Sequence, residues 1–406
     1  VKAIVAHDNW ARGGGGEFVS AYVVKTLLQA GHTVAIVALH KFDVEKIGQL
    51  FGIDISSVKV YSLSYRLLPL FGLYQKLLFF IPLQKAIKQF KPDIVFIDCE
   101  RYKQILKLKK KFRFKLLEYI HFPFHASMIE RGIVPKEYRD VLENYSPAID
   151  IEKNKYRKGF WRYYYRLWLR LYDAVARGNP FDSADIVMTN SCFTAKLIKL
   201  LWGGEPVVLY PPVRVRDFDS YGLKSFEDRD NSVVMVGRIS PEKRIEDVID
   251  AIALSSTKPM LRIVGTLIPR LRWYKEFLED RARKRGINIE FYINVPREYM
   301  VKIISSSRVF VHATRCEHFG IAVVEAMAGG CPVIVHKCGG SYEDIINRGE
   351  YGLYYESIED LAENIDRLLS SRSIWEYYHR KSLTRAQQFD EKVFTQKFLE
   401  ILKKIG

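Results

Sequence analysis

The 406-residue chain has few cysteines and none in a chelating arrangement. Its five, Cys99, Cys192, Cys316, Cys331 and Cys338, are odd in number and scattered, with no CxxC pair. A disulfide framework and a zinc site are both disfavoured, and reduced, mostly buried thiols are expected. Long apolar runs are also lacking. A spanning helix needs about 18 or more apolar residues without charge. The longest uncharged interval, between Lys25 and Lys41, is shorter and is broken by Gly31 and His32, so no transmembrane helix is predicted. Val1 to His7 reads as a strand with no basic segment and apolar stretch ahead of it, and a cytoplasmic location is expected. Acidic residues are in deficit: 47 Asp and Glu against 63 Lys and Arg leave a net charge of +16. That excess favours an anionic partner (nucleic acid, acidic lipid or a phosphorylated substrate), and composition does not choose among them. A hydrophobic fraction of 48% with 27% charged residues argues against disorder.

Short Val- and Ile-rich runs alternate with helical patterns along the chain, the signature of parallel sheets covered by helices on both faces, so the fold class is α/β. Strands are expected at Lys2–Ala6, Thr33–Leu39, Asp93–Asp98, Leu116–His121, Asp185–Asn190 and Val207–Tyr210. The theme repeats at Val233–Gly237, Met260–Gly265, Ile289–Ile293, Val309–His312 and Pro332–His336. Between the halves, Pro211 to Asn231 contains Pro-Pro and mixed charge without periodicity. The expected organisation is therefore an N-terminal domain over 1–210, a linker over 211–231, a second domain over 232–385, and a C-terminal helix over 386–406 that returns to the first domain. Two doubly wound domains facing across a cleft would bind ligands outside the carboxyl ends of their strands.

Three segments follow strands and carry chemistry. Gly13-Gly14-Gly15-Gly16-Glu17 runs directly into the helical pattern Phe18 to Gln29. One or two glycines suffice for a turn, so four point to backbone amides approaching an anion at a helix N-terminus. The dinucleotide fingerprint fits badly, with Phe18 in place of the third glycine and Ile36 in place of the ribose-binding acid. After Val233 to Val236 comes Gly237-Arg238-Ile239-Ser240-Pro241-Glu242-Lys243-Arg244, where a guanidinium fork and an ammonium point charge can grip a pyrophosphate from two sides. A solvated charged loop is the other reading. After Val309 to His312 comes Glu317-His318-Phe319-Gly320-Ile321-Ala322-Val323-Val324-Glu325, which places one acid before a helix and one inside it. Carboxylates there can accept hydrogen bonds from adjacent sugar or ribose hydroxyls. Alternatively, Glu325 forms a helix salt bridge and Glu317 is a solvated loop acid.

Gly237-Arg238 and Glu242-Lys243, combined with Glu317, seven intervening residues and Glu325, resemble the retaining glycosyltransferases of family 4, which have the two-domain GT-B fold. Gly13 to Glu17, Tyr119-Ile120-His121-Phe122-Pro123, Trp161 to Tyr172, Asp185 to Ser191, Tyr210-Pro211-Pro212 and Glu317 to Ile321 are similar to one branch of it. That branch adds mannose from GDP-mannose to lipid-linked oligosaccharides for N-glycosylation. The resemblance implies that Arg238 and Lys243 bind the donor diphosphate and that Glu325 holds the ribose hydroxyls. It also implies that Glu317, with the backbone at Phe319, Gly320 and Ile321, contacts the transferred sugar, that the amides of Gly15 and Gly16 approach the phosphates or acceptor, and that His121 lies near the sugar. Phe18 departs from the branch, which has Arg after the glycine-rich Glu.

The implied activity is transfer of a hexose, with GDP-mannose as donor and a lipid-linked saccharide as acceptor, on the cytoplasmic face of a membrane. A UDP-sugar donor with another lipid or a soluble acceptor is the alternative. A nucleotide-sugar or nucleic-acid binder is the non-enzymatic one, although no nucleic-acid motif accompanies the charge. No cofactor or metal is expected. Asp217-Phe218-Asp219 and Asp228-Arg229-Asp230 fall in the linker and read as solvated charge rather than metal ligands. Leu67 to Leu83 and the basic-aromatic Tyr156 to Tyr172 are candidate contacts with an anionic membrane, or else core and solvated helices respectively.

Overall fold

A computed structural model of the chain describes residues 1–12, 14–63, 72–123, 159–219, 221 and 224–405. Among the described residues the chain divides into two units: one combines residues 1–123, 159–212 and 392–405, and the other contains 213–391. Each unit is built on one parallel sheet with helices between successive strands, the Rossmann-like architecture of GT-B proteins.

The first unit holds β1 (Lys2–Ala6), β2 (Thr33–Val37), β3 (Lys59–Tyr61), β4 (Ile94–Ile97), β5 (Lys115–Ile120), β6 (Ile186–Thr189) and β7 (Val207–Val208). Their order is β3-β2-β1-β4-β5-β6-β7. Ile4 pairs with Val95, and Phe96 with Leu117, so the central strands run in near-continuous apolar register. Such runs are required where both faces of a sheet are covered. Helix α1 (Gly15–Gln29) connects β1 to β2 and buries Val19, Tyr22, Val23 and Leu27 against the sheet. Helix α2 (Gly159–Val175) buries Tyr164, Trp168, Leu169 and Tyr172.

The second unit holds β8 (Asp230–Val236), β9 (Met260–Gly265), β10 (Ile289–Ile293), β11 (Ser307–His312), β12 (Val333–His336) and β13 (Leu353–Tyr355), in the order β10-β9-β8-β11-β12-β13. Helices α3 (Ile245–Leu254), α4 (Arg297–Ser306) and α5 (Ile321–Ala328) lie on connections between these strands. Strand β8 begins inside the segment expected to be linker, because Val233 and Val234 need their ladder partners Val309 and Phe310. β3 and β13 were not expected from the sequence. Both are three-residue edge strands, too short to carry a periodic signal.

The closing helix α6 (Glu391–Lys403) belongs to the first unit. Phe394, Phe398, Ile401 and Leu402 join the core made by Ala3, Val5, Phe96 and Tyr119, with the Phe398 ring edge-on to Phe96 at 6.1 Å. Phe398 is fully buried. Phe398→Ala is expected to destabilise the first unit by about 3–5 kcal/mol, the usual consequence of emptying a buried aromatic site. Chemical denaturation followed by near-ultraviolet circular dichroism checks this.

Candidate active site

In the second unit β8 and β11 are neighbours, and a pocket at their carboxyl ends is lined by Gly237, Arg238, Lys243, His312 and Thr314 among others. Lys243 closes the short turn Pro241–Lys243 that follows β8. Its Nζ donates to Oε2 of Glu317 at 3.0 Å, and Nε2 of His312 lies 3.1 Å from the same oxygen. The other oxygen accepts the backbone N–H of His318 at 3.2 Å. Burial acts to raise the Glu317 carboxyl. The Lys243 ammonium and the hydrogen-bonded His312 outweigh it and hold Glu317 well below the usual carboxylate range. Burial pushes His312 below its ordinary value, against the opposing pull of Glu317, so the imidazole stays neutral near pH 7 and donates Nε2–H.

The loop carrying Glu317 is also tied covalently. The expectation of reduced thiols is corrected at Cys316 and Cys338, which form a disulfide with Cα atoms 4.4 Å apart. The two are 22 residues apart in sequence, but β11 and β12 pair in parallel, so the loops leaving their carboxyl ends meet. Cys99, Cys192 and Cys331 form no disulfide among the described residues; the first and last are buried and Cys192 is exposed. Gly339 approaches Glu317 so closely that a Cβ there would fall 2.2 Å from the Glu317 carbonyl oxygen, and its φ of +95° disfavours any other residue. That same oxygen accepts the N–H of Gly340 at 2.6 Å.

Helix α5 begins at Ile321, directly after Gly320, whose carbonyl accepts the N–H of Val323 at 2.9 Å. Phe319 is buried, edge-on to Phe389 at 5.5 Å. In the second turn Glu325 is buried, and its Oε1 accepts Nη1 of Arg297 from α4 at 2.7 Å. Arg297 is bonded through Nε to Asp217, and its Nη2 is buried without a partner. Asp217 is exposed, as expected of a solvated charge, but it is paired with Arg297. Val215 and Phe218 of the turn Val215–Phe218 are buried, which sets Asp217 against α4. Asp230 likewise pairs with Arg262 at 2.7 Å.

In the first unit, β1, β4 and β5 end at His7, Asp98 and His121, each the residue directly after its strand. Asp98 is buried and accepts from His7 Nδ1 at 2.8 Å, His121 Nε2 at 2.9 Å and Ser20 Oγ at 2.8 Å. Burial opposes its ionisation, but His7 and His121 outweigh burial and hold the carboxyl well below the usual range. Burial also opposes charge on His7, yet Asp98 and Glu17 raise it well above its ordinary value. Glu17 folds back to accept the N–H of Gly14 at 3.1 Å, capping α1. A Cβ on Gly16 would lie 3.4 Å from His121 Nε2, so the glycine-rich start of α1 packs directly on that imidazole. His7, Asp98 and Cys99 place potential ligand atoms within 4.8 Å of one another. The Asp98 oxygens are already taken by the three donors above, and no metal is assigned there.

The family model described as Glycosyltransferase Family 4 matches residues 13–216, half of the chain, and that described as Glycosyl transferases group 1 matches residues 223–387. The chain belongs to glycosyltransferase family 4. Among curated relatives of this family 4 chain, the GDP-Man:Man(3)GlcNAc(2)-PP-Dol alpha-1,2-mannosyltransferase of Dictyostelium discoideum is 24% identical, over 70% of this chain and 58% of the relative. The Homo sapiens enzyme of that name is 29% identical, over 79% of this chain and 67% of the relative. The chain thus spans roughly three fifths to two thirds of the length of the relatives it matches. Anabaena HepE, crystallised in complex with UDP and glucose, superposes with a TM-score of 0.70 at 16% identity, covering 99% of both chains. HepE has also been solved with UDP and with UDP-glucose.

These findings correct the expected donor. GDP-mannose transfer to a lipid-linked saccharide is not carried forward, because HepE, which superposes over the whole chain, is solved in complexes with UDP, with UDP and glucose, and with UDP-glucose. The general expectation, an enzyme of the glycosyltransferase class with the GT-B fold, stands.

Of the residues singled out in the family 4 sequence, the structure brings Lys243 and Glu317 into contact in the second unit and sets Glu325 beside Arg297. Arg238 has a 54% exposed side chain, 3.6 Å from Glu242, and lines the same pocket as Lys243. Phe319, Gly320 and Ile321 form the entry to α5, while Gly15, Gly16 and His121 come together in the first unit. Gly13 lies outside the described residues. Sequence reasoning missed His312, Arg297, His7 and Asp98. His312 and Asp98 were in view as strand ends, the position where polar residues in α/β sheets gain function, but no spacing linked them to their partners.

The depressed Glu317 carboxyl fixes the sign of a pH dependence. Its ionisation contributes stability above the unfolded value of about 4.3, and that contribution is lost as pH falls through the lower folded value. Thermal melts between about pH 5 and pH 2 are expected to fall more steeply for the native chain than for Glu317→Gln.

Proposed function

We propose that the chain is a retaining, UDP-sugar-dependent hexosyltransferase acting on a lipid-borne or soluble acceptor. The observation that carries this reading is the Lys243–Glu317–His312 cluster at the carboxyl ends of β8 and β11, with Glu325 on the helix that follows. Without donor, Lys243 is neutralised by Glu317. A donor diphosphate competes for that ammonium, joined by the exposed guanidinium of Arg238 from the same pocket rim. Two fixed cations aimed at the leaving phosphate stabilise charge as the glycosidic bond breaks, the kind of preorganisation that dominates many enzymes. The departing phosphate oxygen takes the acceptor proton as the hydroxyl attacks the same face of the sugar. Glu317, released from Lys243 and still held by His312, accepts hydrogen bonds from hydroxyls of the transferred sugar, and the amides of Phe319, Gly320 and Ile321 donate to the sugar's oxygens. Glu325 keeps Oε1 on Arg297 and offers its other oxygen to the ribose hydroxyls. Within the first unit, His121 and the Gly15 and Gly16 amides at the start of α1 remain candidate sugar- and phosphate-binding groups.

Turnover measured across UDP- and GDP-sugars in the presence of EDTA tests the donor and the metal-free chemistry. UDP-sugar turnover that persists in EDTA is expected, and turnover confined to GDP-sugars overturns the proposal. Lys243→Ala is expected to weaken UDP binding by about 10- to 100-fold, in line with loss of a charge-assisted hydrogen bond. Unchanged affinity by calorimetry removes Lys243 from the site.

We also propose an anionic membrane surface as the place where a lipid-borne acceptor is met. Helix α2 supports it: Phe160, Tyr163, Leu167 and Leu171 form an exposed stripe at helical spacing, with Arg162, Arg166 and Arg170 exposed beside it. Aromatic bodies in the headgroup layer and cations on acidic lipid suit that arrangement. The other candidate segment, Leu67 to Leu83, contributes to the core in part of its described length. Within its described part Leu77, Phe79 and Leu83 are buried, and residues 64–71 lie outside the described residues. No described helix is long and apolar enough to cross a membrane. The native chain is expected to float with vesicles containing acidic lipid and to remain below neutral ones. Phe160→Ser combined with Leu167→Ser is expected to abolish flotation, and retention of it excludes α2 as the contact.

A further inference from the structure

Three adjacent strands of the first unit deliver three side chains to one point. β1, β4 and β5 lie side by side, and the residues directly after them, His7, Asp98 and His121, meet through the central carboxylate. Asp98 has no exposed side-chain surface. An ionised carboxylate has no proton to give, so every nitrogen facing it must carry one. His121 therefore presents Nε2–H to Asp98, and its Nδ1 has no partner among the described residues. The ring is steadied further by an edge contact with Tyr119 at 4.9 Å and by the backbone of Gly16.

We propose that Asp98 is a positioning residue for sugar transfer, holding His121 as the Nε2–H form so that Nδ1 is the nitrogen left to act. The proposal rests on the reading of His121 as a group beside the donor sugar. A free imidazole exchanges its two tautomers and flips about its outer torsion. A carboxylate on one nitrogen selects one tautomer and one orientation, as an outer-shell partner does for a ligating histidine.

His7 makes this possible from the other side. A buried carboxylate without a countercharge takes up a proton rather than remain ionised. His7 supplies that charge through Nδ1 at 2.8 Å, and its Nε2 lies 3.7 Å from Glu17 Oε1 at the start of α1. The charged groups facing His7 are Asp98 from β4, Glu17 from α1 and the neighbouring Asp8. Ser20 Oγ completes the acceptor set and fastens α1 to the same carboxylate. The arrangement is an imidazole–carboxylate–imidazole row in which the inner ring balances charge and the outer ring faces the reaction.

The test uses the full chain labelled with nitrogen-15 in histidine. Long-range proton–nitrogen correlation at neutral pH is expected to show the Nε2–H pattern for His121 in the native protein. Asp98→Asn is expected to give a mixture or the Nδ1–H pattern, with kcat lowered on the order of 10- to 100-fold and donor KM changed far less. His7→Gln, which removes the countercharge, is expected to shift the His121 pattern in the same direction and carries the test if Asp98→Asn does not fold. An unaltered Nε2–H pattern in the folded variants overturns the positioning role, whatever the activity. His121→Ala separates the two readings: unchanged turnover there removes His121 from the reaction and with it the catalytic half of the proposal, while the tautomer measurement still reports on Asp98.

Discussion

A carboxylate withdrawn from water stays ionised only if positive charge and hydrogen-bond donors meet it inside the protein. Both units of this chain are arranged around that constraint. In the second unit Glu317 is met by Lys243 and His312; in the first, Asp98 is met by His7, His121 and Ser20. Apart from Ser20, which lies within α1, the partners come from the ends of neighbouring parallel strands or the loops that follow them. The sheet thus does more than supply a core. It sets the spacing at which a charge can be buried and still be balanced.

The two clusters differ in what they leave available. Glu317 shares one oxygen between an ammonium and an imidazole, and Lys243 is the partner an anionic ligand can draw away while His312 remains. Asp98 has no such exchangeable partner, since its neighbours are two imidazole rings and the Ser20 hydroxyl of α1. One cluster is suited to rearrange when ligand arrives and the other to keep its geometry. The disulfide at Cys316 and the close approach of Gly339 restrict the backbone under Glu317, so rearrangement there is confined to side chains.

The alternation of Val- and Ile-rich strands with helices was legible because a sheet covered on both faces demands continuous apolar runs, as in Val233, Val234 and Met235. β3 and β13 were not, since three residues at a sheet edge carry no such demand. Lys243, Glu317 and Glu325 stood out through their combined spacing. Their partners His312 and Arg297 did not, nor did the Asp98 cluster, because these residues gain their roles from topology: His7 and Asp98 are 91 positions apart in the chain and adjacent only once β1 and β4 pair. The Cys316–Cys338 bond was hidden for the same reason. Scattered thiols look unpaired until parallel strands bring their following loops together.

The path of the chain has a consequence for how the protein is made. The backbone leaves the first unit after Pro212 and re-enters it at Lys392, so the second unit is, in sequence, an insertion within the first. During synthesis the whole of the second unit emerges before Phe394 and Phe398, which complete the core around Phe96. The second unit can close on itself while the ribosome is still at work. The first must wait with an open apolar face until α6 has emerged, and transiently exposed apolar surface of that kind is prone to misassociate.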